Sequence, residues 1–504
     1  MKSPRPTTLF LICAVPALLA VTSGAGPQTS LKHRPVASTA AAGNSDHQKT
    51  TTGQHSSLGS PIIFVQTPEL AEGDLRARFP QGSHIARLDA GAEAASPINL
   101  TPEFYAAADP QISFDATKVL FAAQERSASR WEIWEMNVDG SSKRRVTSNQ
   151  SDCLRPAYLA HESLTFTVVR EDAGRAASEV HVAKLDGTED HAITFGPGNY
   201  QVEAVLKDGR ILLSAASPLV RKGANSTALY VIRHDGTGMQ SLRCEHAKPA
   251  VRREATELAD GSVVFVKNAV AKGQAGGELA MIRRGALHNS TFSPLAPPSL
   301  SPRPLSESKL IVSRRTGAAA KATSKFDLYT VESDSGRLDK IIYKDPKLSS
   351  VQAVPVAAHA TPRWYWSTLN PEAKSGYFIC LDAYHSVDEP TGRIAASITK
   401  VRVLTLDVAS GQERSLGEAP VEKDGSFYVA VPPDKPMRFE LLDKRGAVIR
   451  AQQSWIWSRR GEERGCVGCH EDKSVAPENR WPLTLRRFDT PTPLGSEVDV
   501  KVER

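Results

Sequence analysis

Short runs in which hydrophobic and polar positions alternate occupy most of the chain, and polar turns separate them at regular distances. One unit begins at Asp109, continues through an apolar run that ends at Phe121 and another that begins at Trp134, and turns at Asp139-Gly140. An alternation with a period of two predicts half-buried strands, and an Asp-Gly pair between two such runs predicts a hairpin turn. The pattern therefore predicts a chain made mainly of β-strands.

The turns repeat with a period of about fifty residues. They fall at residues 89, 139, 186, 235, about 285 and 334, so that consecutive turns are 47 to 50 residues apart. This spacing fits a four-stranded blade with its loops, and six such units predict a closed six-bladed β-propeller over residues 61–355. The repeats resemble those of TolB-type propellers, in which a strand, an Asp-Gly turn and a Leu-Thr pair recur.

A different set of apolar runs follows residue 355, where the repeat stops. They predict a small β-sandwich over residues 360–458, with strands near 376–384, 398–406, 425–431 and 437–443. Trp455 and Trp457 lie at its end, where they suit either the sandwich core or one wall of a cofactor site. The predicted fold class is therefore all-β, with a propeller, a sandwich and a C-terminal segment at 459–504.

The first sixty residues lack this strand pattern. Residues 1–25 combine basic residues, an apolar run from Leu9 to Val21 and small residues up to Ala25, which is typical of a secretory signal peptide cleaved near Ala25. The apolar run is too short for a membrane-spanning helix, and no later segment fits one. Residues 26–60 contain few large apolar residues, which predicts a disordered linker. We expect a periplasmic or secreted protein with no membrane span.

Charge and cysteine content narrow the possible partners and the redox chemistry. The formal net charge is +6 over 504 residues and the basic pairs are scattered, so nucleic acid is not predicted as a partner. Outside the signal peptide and one C-terminal motif, the cysteines are Cys153, Cys244 and Cys380. Each lies in or beside an apolar run, which predicts buried, inert thiols, although an oxidising compartment would also allow one disulfide among them.

The candidate chemistry lies in Cys466-Val-Gly-Cys469-His470, because Cys-x-x-Cys-His is the attachment signature of a c-type haem. Two thiols on one turn of chain can reach the two vinyl groups of one porphyrin, and the adjacent imidazole can bind the iron. A structural zinc site needs a second pair of ligands, and a thioredoxin-like redox pair needs a βαβ setting; neither occurs here. We predict one covalent haem c on Cys466 and Cys469, with His470 as axial ligand.

The order of these parts resembles the hydrazine synthase alpha subunit family. The resemblance rests on the signal, the repeat that begins at Asp109, the segment 424–432 (Asp-Gly-Ser-Phe-Tyr-Val-Ala-Val-Pro) and the segment 461–471 that contains the motif. It implies a propeller followed by a middle domain that holds a c-type haem, with Cys466 and Cys469 as thioether anchors and the next residue as the motif histidine. In that family, hydrazine-forming chemistry on nitric oxide and ammonium takes place at such a haem.

Two departures limit what the resemblance implies. The family's synthase carries a second haem in a further domain, and its catalytic haem uses a tyrosine shortly after the motif. This sequence contains one Cys-x-x-Cys-His motif and no tyrosine after Tyr428. We therefore expect kinship with the middle domain of the family without hydrazine synthesis.

A second axial ligand would have to come from a position before the motif, because no histidine, methionine or tyrosine follows His470. His385, close to a predicted sandwich strand, is the preferred candidate, although it also suits a surface position. Met437 and His359 are alternatives, and His359 is better interpreted as a linker residue. Since a distal ligand from another part of the chain must be held in place at a cost in entropy, we expect an open distal site.

Three functions follow from these predictions. The first is a redox subunit or electron-transfer protein that works with a redox partner protein or within a multi-subunit haem complex. The second is an independent haem enzyme with an open iron that acts on small nitrogen compounds or peroxide. The third is a ligand-binding or sensor module built on the propeller. The sequence favours the first and identifies no catalytic residue.

Overall fold

In a computed structural model of the chain, four-stranded antiparallel sheets follow one another from residue 62 to residue 355. The predicted signal peptide, nearly all of the predicted linker and Cys244 lie outside the described residues. The structure describes residues 59–498, apart from 72–73, 92–95, 173–174, 217–225, 243–249, 270–274, 286–288, 292–297, 316–324, 409 and 471–479.

Consecutive strands form most of these sheets. The first sheet contains β1 (Ile62–Thr67), β2 (His84–Leu88) and β3 (Ile98–Asn99). Five more four-stranded sheets follow in chain order: β4 (Ala106–Ile112), β5 (Lys118–Gln124), β6 (Glu132–Asn137) and β7 (Arg144–Arg145); β8 (Asp152–Leu159), β9 (Ser163–Asp172), β10 (Arg175–Lys184) and β11 (His191–Ala192); β12 (Gln201–Val205), β13 (Ile211–Ala216), β14 (Thr227–Ile232) and β15 (Gln240–Ser241); β16 (Ala250–Glu257), β17 (Val263–Ala269), β18 (Glu278–Ile282) and β19 (Asn289–Thr291); β20 (Ser299–Pro304), β21 (Lys309–Arg314), β22 (Asp327–Glu332) and β23 (Leu338–Tyr343).

The next strand, β24 (Ser349–Pro355), returns to the beginning of the series and pairs antiparallel with β1, so that it becomes the fourth strand of the first sheet. The strands β4, β8, β12, β16, β20 and β24, which we call the inner strands, all contribute residues to one cavity. Six strands from six sheets around one cavity is a propeller-like arrangement. The predicted all-β class is confirmed.

A bulge interrupts each inner strand close to this cavity. The pairing register of every inner strand shifts by one or more residues, as between Ala108 and Gln111 in β4. In five of the six strands, one residue near the shift has a left-handed φ between 50° and 56°. Bulges bend a strand and redirect its side chains, and here they place polar residues at the cavity: Asp109, Arg155, Glu254, Ser301 and Gln352.

Two further four-stranded sheets pack face to face and form the sandwich, with a core that includes Phe378, Val403 and Val429. The order of the first is β31-β25-β28-β32, and that of the second is β27-β26-β29-β30. The strands are β25 (Gly376–Ser386), β26 (Lys400–Asp407), β27 (Gln412–Pro420), β28 (Phe427–Val431), β29 (Met437–Leu442), β30 (Val448–Ala451), β31 (Glu463–His470) and β32 (Thr492–Pro493).

The C-terminal segment 459–504 contributes two strands to the sandwich. β31 pairs in parallel with β25, and β32 pairs in parallel with β28. The predicted sandwich, 360–458, ended before both strands, because neither shows the alternation of apolar residues that marks a strand in the sequence. The helical elements among the described residues are two 3-10 turns, Leu75–Ala77 and Leu483–Arg486, and no helix in this part of the chain could cross a membrane.

Trp457 joins the sandwich to the propeller-like part. It is buried with its ring centroid 5.7 Å from that of Tyr200 and 5.9 Å from that of Phe195, and its indole N–H donates to the carbonyl of Gly236 at 3.1 Å. The sandwich-core interpretation is therefore wrong for Trp457. Trp455 is half-buried and lies under the Arg438 guanidinium, 5.3 Å from the ring centroid.

Candidate functional site

The Cys-x-x-Cys-His motif occupies the end of β31, which is the edge strand of the first sandwich sheet. Cys466 lies opposite Cys380 of β25, and His470 lies opposite Ser386. The sequence predicted both thiols on one turn of chain. The structure places them on a strand instead, because the backbone from residue 463 to residue 470 forms a parallel ladder with β25.

The ladder is irregular within the motif itself. Between the pairs Asp382–Gly468 and Ser386–His470, one residue of β31 faces three residues of β25. A regular strand would direct Cys466 and Cys469 to opposite faces, since side chains alternate. The shift interrupts this alternation, and both thiols are close enough to Cys380 for their charges to raise its pKa. The structure therefore brings the two motif thiols to the same neighbourhood.

The exposure of these thiols differs. Cys466 is half-buried and packs against the sandwich core, whereas Cys469 is exposed. Cys380 is 3% exposed, and burial raises its pKa well above the usual range, with further contributions from Cys466 and Cys469. Cys153 is also fully buried, and neither Cys153 nor Cys380 forms a disulfide. The predicted burial of these two cysteines is confirmed.

His385, the preferred candidate for a distal ligand, lies directly against the motif. It is the last residue but one of β25 and is half-buried. A Cβ atom on Gly468 would lie 2.6 Å from the His385 carbonyl oxygen and 2.9 Å from both its Cβ and its Cδ2 atoms. The glycine at position 468 is therefore what allows His385 and the motif to approach so closely.

The two alternative candidates for the distal ligand, His359 and Met437, have no described contact with the motif. His359 is exposed, and its ring packs edge-on against Phe114, with the centroids 5.4 Å apart, so it belongs to the linker as interpreted from the sequence. Met437 is fully buried in the sandwich core, where its backbone pairs with Thr405 and Ile456. Of the three candidates, His385 is the one that the described contacts place beside the motif.

Arg450 of β30 supplies a positive charge at Cys469. Its guanidinium donates to the Ser386 hydroxyl at 2.6 Å and lies 3.6 Å from the carboxylates of Asp388 and Glu389. Although the Cys469 side chain touches solvent, the surrounding atoms desolvate the thiol and raise its pKa, and a hydrogen bond from Arg450 opposes this effect. Arg450 therefore favours the thiolate form of Cys469. No feature of the sequence indicated this residue.

Asp382 holds the chain on either side of the motif. It is 7% exposed and lies opposite Gly468, and its carboxylate accepts from Arg393 at 2.5 Å and pairs with Arg480 at 3.1 Å. Arg393 belongs to the loop after β25, and Arg480 is the first described residue after the motif. One buried carboxylate thus fixes both segments at the edge of the sheet.

The beginning of β31 contacts the propeller-like part. The Glu462 carboxylate accepts from the backbone N–H of Gly238 at 2.8 Å, and the Arg464 guanidinium donates to the carbonyl of Met239 at 2.6 Å. Burial lowers the pKa of Arg464. These contacts, with that of Trp457 to Gly236, fix the direction in which β31 leaves the propeller-like part for the sandwich edge.

The sequence and the structure of this chain were compared with those of known proteins. Residues 386–471 match the model of the hydrazine synthase alpha subunit middle domain. The chain resembles the hydrazine synthase alpha subunit. It is 22% identical to hydrazine synthase subunit alpha of Kuenenia stuttgartiensis over 542 aligned positions, which cover 82% of this chain and 66% of that protein. The chain thus spans just under two thirds of that relative's length.

A solved structure of a relative agrees with this fold. A structure of Kuenenia stuttgartiensis hydrazine synthase superposes with a TM-score of 0.74 at 20% identity and covers 85% of this chain and 71% of that chain. TolB from Acinetobacter baumannii superposes with a TM-score of 0.43 at 14% identity over 59% of this chain and 66% of that chain. The resemblance predicted from the sequence is confirmed, and the matched middle domain includes His385's neighbour Ser386 and the whole motif.

Proposed function

We propose that this chain is an exported c-type haem protein that acts as a redox subunit or electron-transfer protein. The observation that carries the proposal is the contact between His385 and Gly468, which places a second imidazole beside a Cys-x-x-Cys-His motif. Two nitrogen ligands fill both axial positions of a haem iron, and such an iron transfers electrons without binding a substrate.

The residues at the sandwich edge fit a covalent haem. Cys466 and Cys469 would hold it by thioether bonds, and His470 would provide one axial nitrogen; the bound haem would supply one-electron chemistry. One thiol is exposed and the other half-buried, and among the described strands β31 pairs with β25 alone. A Cβ atom on Gly465 would meet no atom of the described residues within 4 Å, so β31 is open on the face opposite to that of the adjacent Cys466.

The position of His385 beside the motif supports one of the functions that the sequence left open. The sequence favoured an open distal site, because a ligand donated from a separate part of the chain costs entropy. That cost is small here, since β25 already holds His385 against the motif through the ladder with β31. We therefore expect a filled distal site, which favours electron transfer over an independent haem enzyme.

The propeller-like part would hold the sandwich that carries the haem and would provide a docking surface for a redox partner protein. We infer that its six sheets form a closed six-bladed propeller, since β24 pairs with β1 and the six inner strands share one cavity. The relative from Kuenenia stuttgartiensis is named as a subunit. This supports a redox partner protein or a multi-subunit haem complex as the partner of this chain, in the periplasm or outside the cell.

Mass spectrometry tests the attachment. The mature protein, produced with a haem-attachment system, should carry the mass of one haem, and the double variant Cys466→Ala/Cys469→Ala should carry none. A wild-type chain that remains unmodified under conditions in which a control cytochrome is loaded would refute the proposal. The same spectrum locates the new N-terminus, which we expect near Ala25.

The absorption spectrum tests the electron-transfer function. The ferric protein should show a low-spin spectrum that does not change with cyanide or nitric oxide. His385→Ala should convert it to a form that binds both ligands, whereas His359→Ala, a change at an exposed linker histidine, should have no effect. A wild-type protein that binds both ligands readily would contradict the filled site and favour the haem enzyme instead.

A further inference from the structure

A third cysteine lies beside the two thiols of the motif. Cys380 on β25 is the register partner of Cys466 on β31, where the two strands pair in parallel. Neighbouring strands lie about 4.8 Å apart, so the Cα atoms of these two residues are separated by about that distance. Disulfides join residues whose Cα atoms are about 4.4–6.8 Å apart. The backbone therefore holds Cys380 and Cys466 at a spacing that suits a disulfide.

The side chains of these two residues also share one face of the sheet. Residues in register on adjacent strands project to the same face, because side chains alternate along each strand. Two residues earlier in both strands, the Arg464 guanidinium lies over the Phe378 ring, 5.6 Å from its centroid. Phe378 and Cys380 belong to the sandwich core, and Cys466 packs against the same cluster. The Cys466 thiol is thus directed towards the buried Cys380 thiol.

The two motif thiols are less well placed to bond to each other. Cys466 and Cys469 lie on one strand, three positions apart. Each residue of a strand advances the chain by about 3.3 Å, which separates their Cα atoms by about 10 Å. Cysteines more than about 7 Å apart cannot be joined without a movement of the backbone. A disulfide within the motif would have to break the ladder between β25 and β31, whereas one between Cys380 and Cys466 leaves it intact.

We propose that Cys380 and Cys466 form a disulfide in the haem-free protein under oxidising conditions, and that this bond withholds Cys466 from the haem. The structure shows the reduced form of both residues. Cys380 lies outside the attachment motif, so its bond to Cys466 makes haem attachment dependent on a reductant. The blocking role rests on the proposed function, whereas the disulfide itself does not.

Thiol–disulfide exchange with a small disulfide such as oxidised glutathione supplies the oxidation. The Cys466 thiolate attacks one glutathione sulfur, forms a mixed disulfide and releases one glutathione thiolate. Cys380 then loses its proton to solvent and attacks the Cys466 sulfur, which releases the second glutathione. The two cysteines together lose two protons and two electrons, and oxidised glutathione becomes two molecules of glutathione. Excess reduced thiol reverses both steps.

The burial of Cys380 makes this bond slow to form and slow to break. Cys380 is 3% exposed, so an external thiol reaches the bond from the side of the half-buried Cys466. Burial also raises the pKa of Cys380, and the thiolate is the attacking species. Oxidation in the test below therefore needs a long incubation, and mild reductants should reverse it slowly.

Peptide mapping of the haem-free, full-length chain tests the bond directly. The protein is incubated with oxidised glutathione, denatured in iodoacetamide to block the remaining thiols, and digested with trypsin without reduction. Trypsin places Cys380 in peptide 375–393 and both motif cysteines in peptide 465–473. The proposed disulfide joins these two peptides. A disulfide within the motif instead leaves peptide 465–473 alone and lighter by two hydrogen atoms.

Single variants identify the partner of Cys380. Cys469→Ala should keep the joined peptides, and Cys466→Ala should lose them. Cys153→Ala is the matched control, because Cys153 is a buried cysteine of a different core cluster, and it should keep them. Fragmentation of the wild-type peptides locates the bond even if a variant does not fold. A wild-type chain in which Cys380 carries the iodoacetamide label, or in which it is bonded to Cys469, would overturn the proposal.

Haem loading tests the blocking role. In cells that carry a haem-attachment system, the wild type should load less haem than Cys380→Ser, and a thiol reductant in the medium should remove the difference. Equal loading of the two proteins without reductant would overturn this role. If neither protein takes up haem even with the reductant, the proposed function fails, and peptide mapping still decides whether the disulfide forms.

Discussion

Two sheets of this molecule are completed at one edge by a strand from a distant part of the sequence, and these two edge strands differ in pairing direction and in burial. β24 pairs antiparallel with β1 and is buried at four of its seven positions. β31 pairs in parallel with β25, occupies the edge of its sheet and has no buried residue among its described side chains. The first strand completes the first sheet of the propeller-like part, and the second presents two thiols.

The difference shows that one of these strands stabilises the fold, whereas the other carries the candidate functional site. An edge strand such as β24, which buries side chains such as Val351, stabilises the fold through the apolar area that it removes from water. An edge strand such as β31, whose described side chains are exposed or half-buried, contributes less to the core. The Cys-x-x-Cys-His motif lies on this second, more exposed edge, which suits the attachment of the proposed haem.

A buried charge should affect the two strands very differently. Val351→Asp places a carboxylate at a position that is 1% exposed, and we expect a loss of more than about 4 kcal/mol in the free energy of unfolding, or no folded protein at all. Val467→Asp, at a half-buried position of β31, should cost far less. Denaturant unfolding followed by tryptophan fluorescence measures both.

Val448→Asp is the matched control, because Val448 is 49% exposed on the edge strand β30, and it should have almost no effect. If Val467→Asp destabilised the chain as strongly as Val351→Asp, β31 would be part of the structural core. The claim that β24 contributes more to stability than β31 would then be wrong.

The second prediction compares a carboxylate of the central cavity with one of the sandwich edge. Removing the charge in Glu254→Gln breaks the buried ion pair between Arg78 and Glu254, which should cost about 3–5 kcal/mol. Asp382→Asn should cost less, because the Arg393 and Arg480 side chains of its two ion pairs are 54% and 35% exposed.

The contribution of Glu254 to the free energy of unfolding also depends on pH. Burial alone would raise the pKa of this carboxyl, but the charges of Arg78 and Arg253 and the hydrogen bond from Arg78 lower it from 4.5 to about 2. A lowered pKa stabilises the folded state fully above about pH 4.5, and this stabilisation is lost as the pH falls towards 2. The difference in free energy of unfolding between wild type and Glu254→Gln should therefore shrink over this range; a constant difference would contradict the assignment.

The smallest expected effect concerns the contact between β25 and β31. Gly468→Ala would bring a methyl group within 2.6 Å of the His385 carbonyl oxygen, so the strands must separate, at a cost of about 1–2 kcal/mol. Haem loading should fall, and Cys469 should react faster with iodoacetamide in the haem-free protein. Gly465→Ala is the matched control, since its methyl group would meet nothing within 4 Å. Equal behaviour of the two variants would show that the close approach has no role.

Much of the fold could be predicted because the sequence repeats itself. Three of the six marked turns are Asp-Gly pairs, at 139–140, 186–187 and 235–236. The glycines of these turns have left-handed φ values of 81° to 88°, which favour glycine. Strand β27 was missed because six of its nine positions are exposed, so that few apolar residues mark it. β31 and β32 were missed for a related reason, since parallel pairing with a distant strand leaves no local pattern.

The sequence by itself determined the β-rich class, the six turn repeats and the choice of Cys466, Cys469 and His470 as candidate haem-site residues. These features depend on local alternation and on short-range spacing. The tertiary structure alone decided that the motif lies on an edge strand, that His385 and Arg450 meet it, and that Arg303 lines a cavity shared by the six inner strands. The physical reason is common to all three. Each depends on contacts between residues far apart in the chain, and such contacts are fixed by packing and charge rather than by neighbouring residues.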